Sequence, residues 1–279
     1  MLILREGENA ERREEGENMK KVILLGQLIL MASWLLLSCG STEKALVAPA
    51  SSPASNVESV ARGGLLYDMW WTVVPGASEP KSDHPLWSLQ TTNKRSGSVS
   101  WRCKECHGWD YRGKEGAYGS GSRYTGFMGV WDAAQNKSAE QLATILRGSS
   151  NDKHNFSSVL RPTDITDLAN FLKNGLVDMR HHVDYKSRQP IGGDASRGKA
   201  LYAVCGACHG PDGKKLNFGS EKNPEYVGTI AKANPQEFLH KVRVGQPGSS
   251  PTMVGSLVMG WSISQVVDVL AYSQTLPEK

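Results

Sequence analysis

The chain has 279 residues, 39% hydrophobic and 22% charged, with 32 basic residues against 28 acidic ones and a formal net charge of +4. With no dense Lys/Arg cluster, that surplus reads as ordinary surface charge and points to no nucleic-acid partner. Beyond residue 39 no apolar run is long enough to span a bilayer, and the five cysteines leave one over from any set of pairs.

The segment from Met19 to Ser38 has a short basic start, Lys20-Lys21, followed by an apolar run of signal-peptide length. It ends in Leu36-Leu37-Ser38-Cys39-Gly40, which resembles the lipobox of bacterial lipoproteins. That resemblance implies a leader over 19–39, lipid attachment at Cys39 and a membrane anchor on the periplasmic side. An ordinary cleaved signal peptide or an N-terminal anchor is the alternative. Residues 1–18 carry six glutamates ahead of the basic start, unlike a targeting signal, so synthesis is expected to begin at Met19. Without residues 1–39, 27 basic residues remain against 22 acidic ones.

Residues 40–60, rich in Ser, Ala and Pro, read as a flexible tether. Arg62-Gly63-Gly64-Leu65-Leu66-Tyr67 then opens a helix. The following stretch, 68–101, holds Trp70, Trp71, Trp87 and Trp101 around Asp83-His84-Pro85-Leu86-Trp87. It is expected to fold over and shield whatever the next motif binds, because aromatic rings bury large area. A docking face or small-molecule pocket is the sharper alternative.

Next come Cys103-Lys104-Glu105-Cys106-His107 and, a hundred residues later, Cys205-Gly206-Ala207-Cys208-His209. Each is C-x-x-C-H followed by glycine, the pattern at which two thiols add to the two vinyl groups of one haem and the histidine ligates its iron. A zinc site would need two further ligands for each cysteine pair, and a disulfide or thioredoxin-like pair has no need of the histidine. Two covalent haems are therefore expected, on Cys103, Cys106 and His107 and on Cys205, Cys208 and His209. Their attachment requires an assembly site outside the cytoplasm, in agreement with the leader.

The glycine-rich tract 116–126 lacks a nucleotide-binding context and reads as the loop beneath the first haem, with Arg123 or Tyr124 available to a propionate. The chain then repeats its opening. Arg197-Gly198-Lys199-Ala200-Leu201-Tyr202 matches residues 62–67, but Cys205 follows Tyr202 by three residues whereas Cys103 follows Tyr67 by thirty-six. The first half thus carries about thirty-three inserted residues. Both halves close alike: Asp167-Leu168-Ala169-Asn170-Phe171 matches Asp268-Val269-Leu270-Ala271-Tyr272, each an amphipathic helix. Pro162-Thr163-Asp164 and Trp261-Ser262 supply the start signals.

A helix, C-x-x-C-H, a long loop and a closing helix together resemble the class I cytochrome c fold, over 61–178 and again over 193–279, with 179–192 as linker. The resemblance implies a mainly α chain of two tandem haem domains, the first with a Trp-rich insertion of about 33 residues. Each domain would bury too little to be stable without its haem. Leu66, Leu168, Leu201 and Val269 are expected to pack on the haem faces. The resemblance also implies a sixth iron ligand on the loop before each closing helix. Met253 lies 15 residues before Asp268 and Met259 nine before it, so Met253 is the better match to His154, 13 before Asp167. The first half has no methionine in that loop, which makes His154 the expected ligand, with Met128, His84 or an open site as alternatives.

A thioether ligand raises an iron potential and a second imidazole lowers it. The chain is therefore expected to relay single electrons between redox-protein partners, from haem 1 to haem 2. A two-haem redox enzyme of peroxidase or thiosulfate dehydrogenase type, or the cytochrome subunit of a dehydrogenase, is the alternative.

Overall fold

A computed structural model describes residues 53–279. The stretch 1–18, the leader 19–39 with Cys39, and most of the tether lie outside the described residues. Helix α1 (Pro53–Met69) begins with proline, whose fixed φ and missing N–H suit a first helical turn. The last eight residues of the expected tether therefore belong to a helix. Val60 and Ala61 explain why: they are buried, and burial overrides a flexible composition.

Helix α2 (Cys103–His107) is a single turn, followed by α3 (Trp131–Asn136), α4 (Ala139–Leu146) and α5 (Pro162–Asn170), which widens into a π turn over Phe171–Gly175. The second half contributes α6 (Ala195–His209), α7 (Val227–Ala233), α8 (Pro235–Val244) and α9 (Ile263–Ser273). Among the described residues there are no strands, only isolated bridges at Gly113–Met128, Arg147–Asn155 and Val183–Pro190. No helix among them is long and apolar enough to cross a membrane. The expected start signals act as caps. Asp164 accepts from the Arg161 backbone at 2.9 Å at the head of α5, and Ser262 closes a capping box with Gln265 at the head of α9.

The repeat seen in sequence recurs in space. Helix α1 packs on α5, and α6 packs on α9. At each crossing a glycine lets the backbones touch: a Cβ on Gly63 would land in the Asp167 carbonyl, and one on Gly198 in the Asp268 carbonyl. The preceding arginine locks the same pair. Arg62 holds Asp167 at 2.5 Å and also Asp164, while Arg197 holds Asp268 at 2.8 Å. The matching tyrosines share a role too. Tyr67 donates to the Gly108 carbonyl at 2.7 Å and Tyr202 to the Gly210 carbonyl at 3.3 Å. Gly108 and Gly210 both stand near φ +80° (78° and 81°) with an extended ψ, a conformation essentially reserved for glycine, where each C-x-x-C-H helix ends.

Helix α8 joins the halves. Its His240 is fully buried, donating from Nε2 to the Gly64 carbonyl at 3.1 Å and accepting at Nδ1 from the Tyr111 hydroxyl at 3.0 Å. Its neighbour Lys241 holds the buried Asp68 of α1 at 2.6 Å, and Arg102 grips the same carboxylate from the other side. Burial works to raise Asp68, but the two cations outweigh it and hold the carboxyl down to about 2. Trp109, without exposed surface, lies under Lys241, Lys104 and Arg102 at 5.1, 5.2 and 5.8 Å from its ring centre.

Leu66, Leu168 and Val269, expected on the cofactor faces, are fully buried in the protein core, and Leu201 is half-buried. Arg123, offered for a propionate, has other neighbours among the described residues. It lies 3.6 Å from the buried Glu105 carboxylate and over the Tyr118 ring.

Candidate functional site

The first half gathers its expected residues into one cleft. Cys103, Cys106 and His107 line it from α2, and His154 faces them from a single turn at Asp152–His154. Trp101, Phe127 and Phe156 supply apolar walls. The His107 and His154 rings stand 6.2 Å apart, centre to centre, and nearly perpendicular at 79°. Two metal–nitrogen bonds of about 2 Å plus the ring radii set imidazoles on either side of a metal roughly 6 Å apart. The spacing fits a pair of axial ligands.

The hydrogen bonds set the tautomers. His107 Nδ1 donates to the Met128 carbonyl at 2.7 Å, which leaves the Nε2 lone pair free for a metal. The antiparallel bridge of Gly113 with Met128 brings that carbonyl under the ring. Burial pushes His107 down to about 4, with the Met128 carbonyl working against the shift and His154 and His84 adding to it. Burial also lowers His154, against the pull of the Ile145 carbonyl. In both rings burial favours the neutral form, the form that ligates metal.

Met128 does not share this role. Its carbonyl serves His107, and its side chain is 72% exposed, so it supplies no ligand opposite His107. His84 does reach the cleft, carried there by the insertion. It is buried, edge-on to Trp101 at 4.6 Å, stacked on Phe156 at 5.5 Å and 6.4 Å from His154. The insertion is tied to α2 through Asn93 Nδ2 donating to Glu105 at 2.9 Å, and is braced internally by Trp101 Nε1 donating to the Ser82 carbonyl.

Burial pushes the Cys103 and Cys106 thiols up to about 12. A disulfide-exchange pair needs the opposite, a thiol lowered toward neutrality. Among the described residues no group of three or more His, Cys, Asp or Glu side chains is arranged to hold a bare metal ion. A haem brings four nitrogens of its own, so two axial side chains and two thiols are all it asks of the chain.

The second half is more open. Cys205, His209 and Met253 are half-buried and Cys208 is exposed. The His209 Nδ1 is buried without a partner, and Phe218 lies 5.7 Å from its ring. Met253 is fixed through its backbone, its N–H donating to Ser249 Oγ at 2.9 Å, whereas Met259 is exposed. Val204, Leu216, Phe218, Val254 and Val258, on the segments carrying these residues, all lie bare.

The joint built from Asp68, Arg102, Trp109, His240 and Lys241 was not foreseeable from the sequence. No spacing rule connects residues 173 positions apart such as Asp68 and Lys241. A comparison with protein-family models, curated proteins and solved structures finds no match for the chain.

Proposed function

We propose that the chain is a two-haem c-type cytochrome, built of tandem class I cytochrome c domains, that relays single electrons between redox-protein partners. The observation carrying this reading is the His107–His154 pair, 6.2 Å apart across the cleft that Cys103 and Cys106 also line. In this reading the iron supplies reversible one-electron chemistry and the chain does the rest. Cys103 with Cys106, and Cys205 with Cys208, fix the two groups covalently. His107 and His154 would hold the first iron, His209 and Met253 the second. The Met128 carbonyl, by accepting from Nδ1, makes His107 a stronger electron donor to its metal.

Two imidazoles favour the ferric state, and a thioether favours the ferrous state. Electrons would therefore enter through the first half and leave through the second. Each 59 mV between the two is worth about 1.4 kcal/mol of driving force for one electron. The lipid on Cys39 would keep the carrier beside its partners on the periplasmic face of the membrane.

Potentiometric titration of the holoprotein, followed optically and by EPR, tests this. Two one-electron waves are expected, and the lower one carries the bis-imidazole signal. Finding the His154 centre at the higher potential would contradict the assignment.

A further inference from the structure

We propose that the distal side of the first haem is a binding site for a small anion, with His84 as the hydrogen-bond donor that receives it. The inference rests on haem being attached at Cys103 and Cys106, and goes beyond electron relay, which needs no second distal histidine.

The backbone of His84 is pinned by its N–H donating to Ser100 Oγ at 2.9 Å, and Ser100 Oγ donates onward to the Gly97 carbonyl. In the ring, Nδ1 accepts the Leu86 backbone N–H at 3.2 Å. A neutral imidazole has one N–H, so the proton sits on Nε2. That nitrogen makes no hydrogen bond to any described residue. The ring stacks on Phe156 and meets Trp101 edge-on, which leaves it little freedom to turn toward a protein acceptor.

With Nδ1 taken by the Leu86 N–H, the free nitrogen of His84 carries a proton rather than a lone pair, which suits a hydrogen-bond donor better than an iron ligand. Leu86, Trp101, Phe127 and Phe156 form the apolar part of this cleft, which Ser100, Arg102, His107 and His154 also line. A polar donor set beside apolar walls is how a ligand site fixes its occupant. A ferric haem held by these residues would supply positive charge that favours an anion, and His84 Nε2–H would donate to that anion's acceptor atom. His154 is the group that must give way, and it sits on a single turn whose other two residues, Asp152 and Lys153, are exposed.

Cyanide is the probe. The ferric holoprotein, as wild type, His84→Phe and His84→Gln, is titrated with cyanide while the Soret band and the bis-imidazole EPR signal are followed. Cyanide is expected to displace His154 in the wild type. Affinity should fall about tenfold in His84→Phe, the value of one hydrogen bond, and recover in part in His84→Gln, which keeps an N–H. Equal affinity in wild type and His84→Phe would overturn the proposal. So would failure of cyanide to bind the first haem even in His154→Ala. Intact mass of the same samples separates the two levels: a chain without haem on Cys103 and Cys106 rejects the cytochrome reading, whereas a loaded chain indifferent to His84 rejects this inference alone.

Discussion

Two histidines in one cleft have different duties because different backbone groups hold them. His107 gives its Nδ1 proton to the Met128 carbonyl, while His84 accepts a backbone proton at Nδ1. Replacing His154 by alanine should leave the first haem five-coordinate, seen as a low-spin to high-spin change in the ferric EPR and optical spectra. Met128→Ala should leave both spectra unchanged, because that side chain points into solvent. Unchanged spectra in His154→Ala would move the sixth ligand elsewhere. Asp68 makes a second test at the level of one residue. Its carboxyl is held at about 2 when folded, against roughly 3.9 unfolded. Its contribution is therefore present above about pH 4 and is lost as pH falls toward 2. Asp68→Asn leaves Arg102 and Lys241 facing an uncharged group and should cost about 3–5 kcal/mol in denaturant unfolding at neutral pH. The same variant should flatten the acid limb of the stability curve.

Helix pairs carry the parts of the fold that could be read in advance. The 3.6-residue apolar spacing, the Arg-Gly start and the Asp-containing close located α1, α5, α6 and α9, because short-range rules govern them. Those rules say nothing of α8, whose placement depends on His240 and Lys241 meeting α1. They also missed the helical end of the tether, where burial of Val60 decides. In the site, C-x-x-C-H and the His154 loop were legible as motifs, whereas the Met128 carbonyl and the pinning of His84 exist only once the chain has folded. The glycines at the crossings give this level its test. Alanine usually stabilises a helix relative to glycine by about 0.5–1 kcal/mol. At Gly63 and Gly198 the sign should reverse, to a loss of about 1–3 kcal/mol, because the new methyl collides with a carbonyl of the partner helix. Thermal unfolding of both variants measures it, and a raised Tm in either would show the crossing to be looser than described.

For the molecule as a whole, the buried joint makes the two halves one body. Asp68, Arg102 and Lys241 form an ion network, and His240 has both ring nitrogens satisfied across the boundary. Such a joint suits a relay, since a fixed separation gives a fixed transfer rate where a flexible tether would not. The proposed function requires two porphyrins bonded through Cys103 and Cys106 and through Cys205 and Cys208. Intact mass together with the pyridine haemochrome spectrum of protein matured in an exporting host tests this most directly. Two haems per chain are expected, falling to one in a Cys103→Ala/Cys106→Ala variant. A bare-polypeptide mass with no Soret absorption would contradict it.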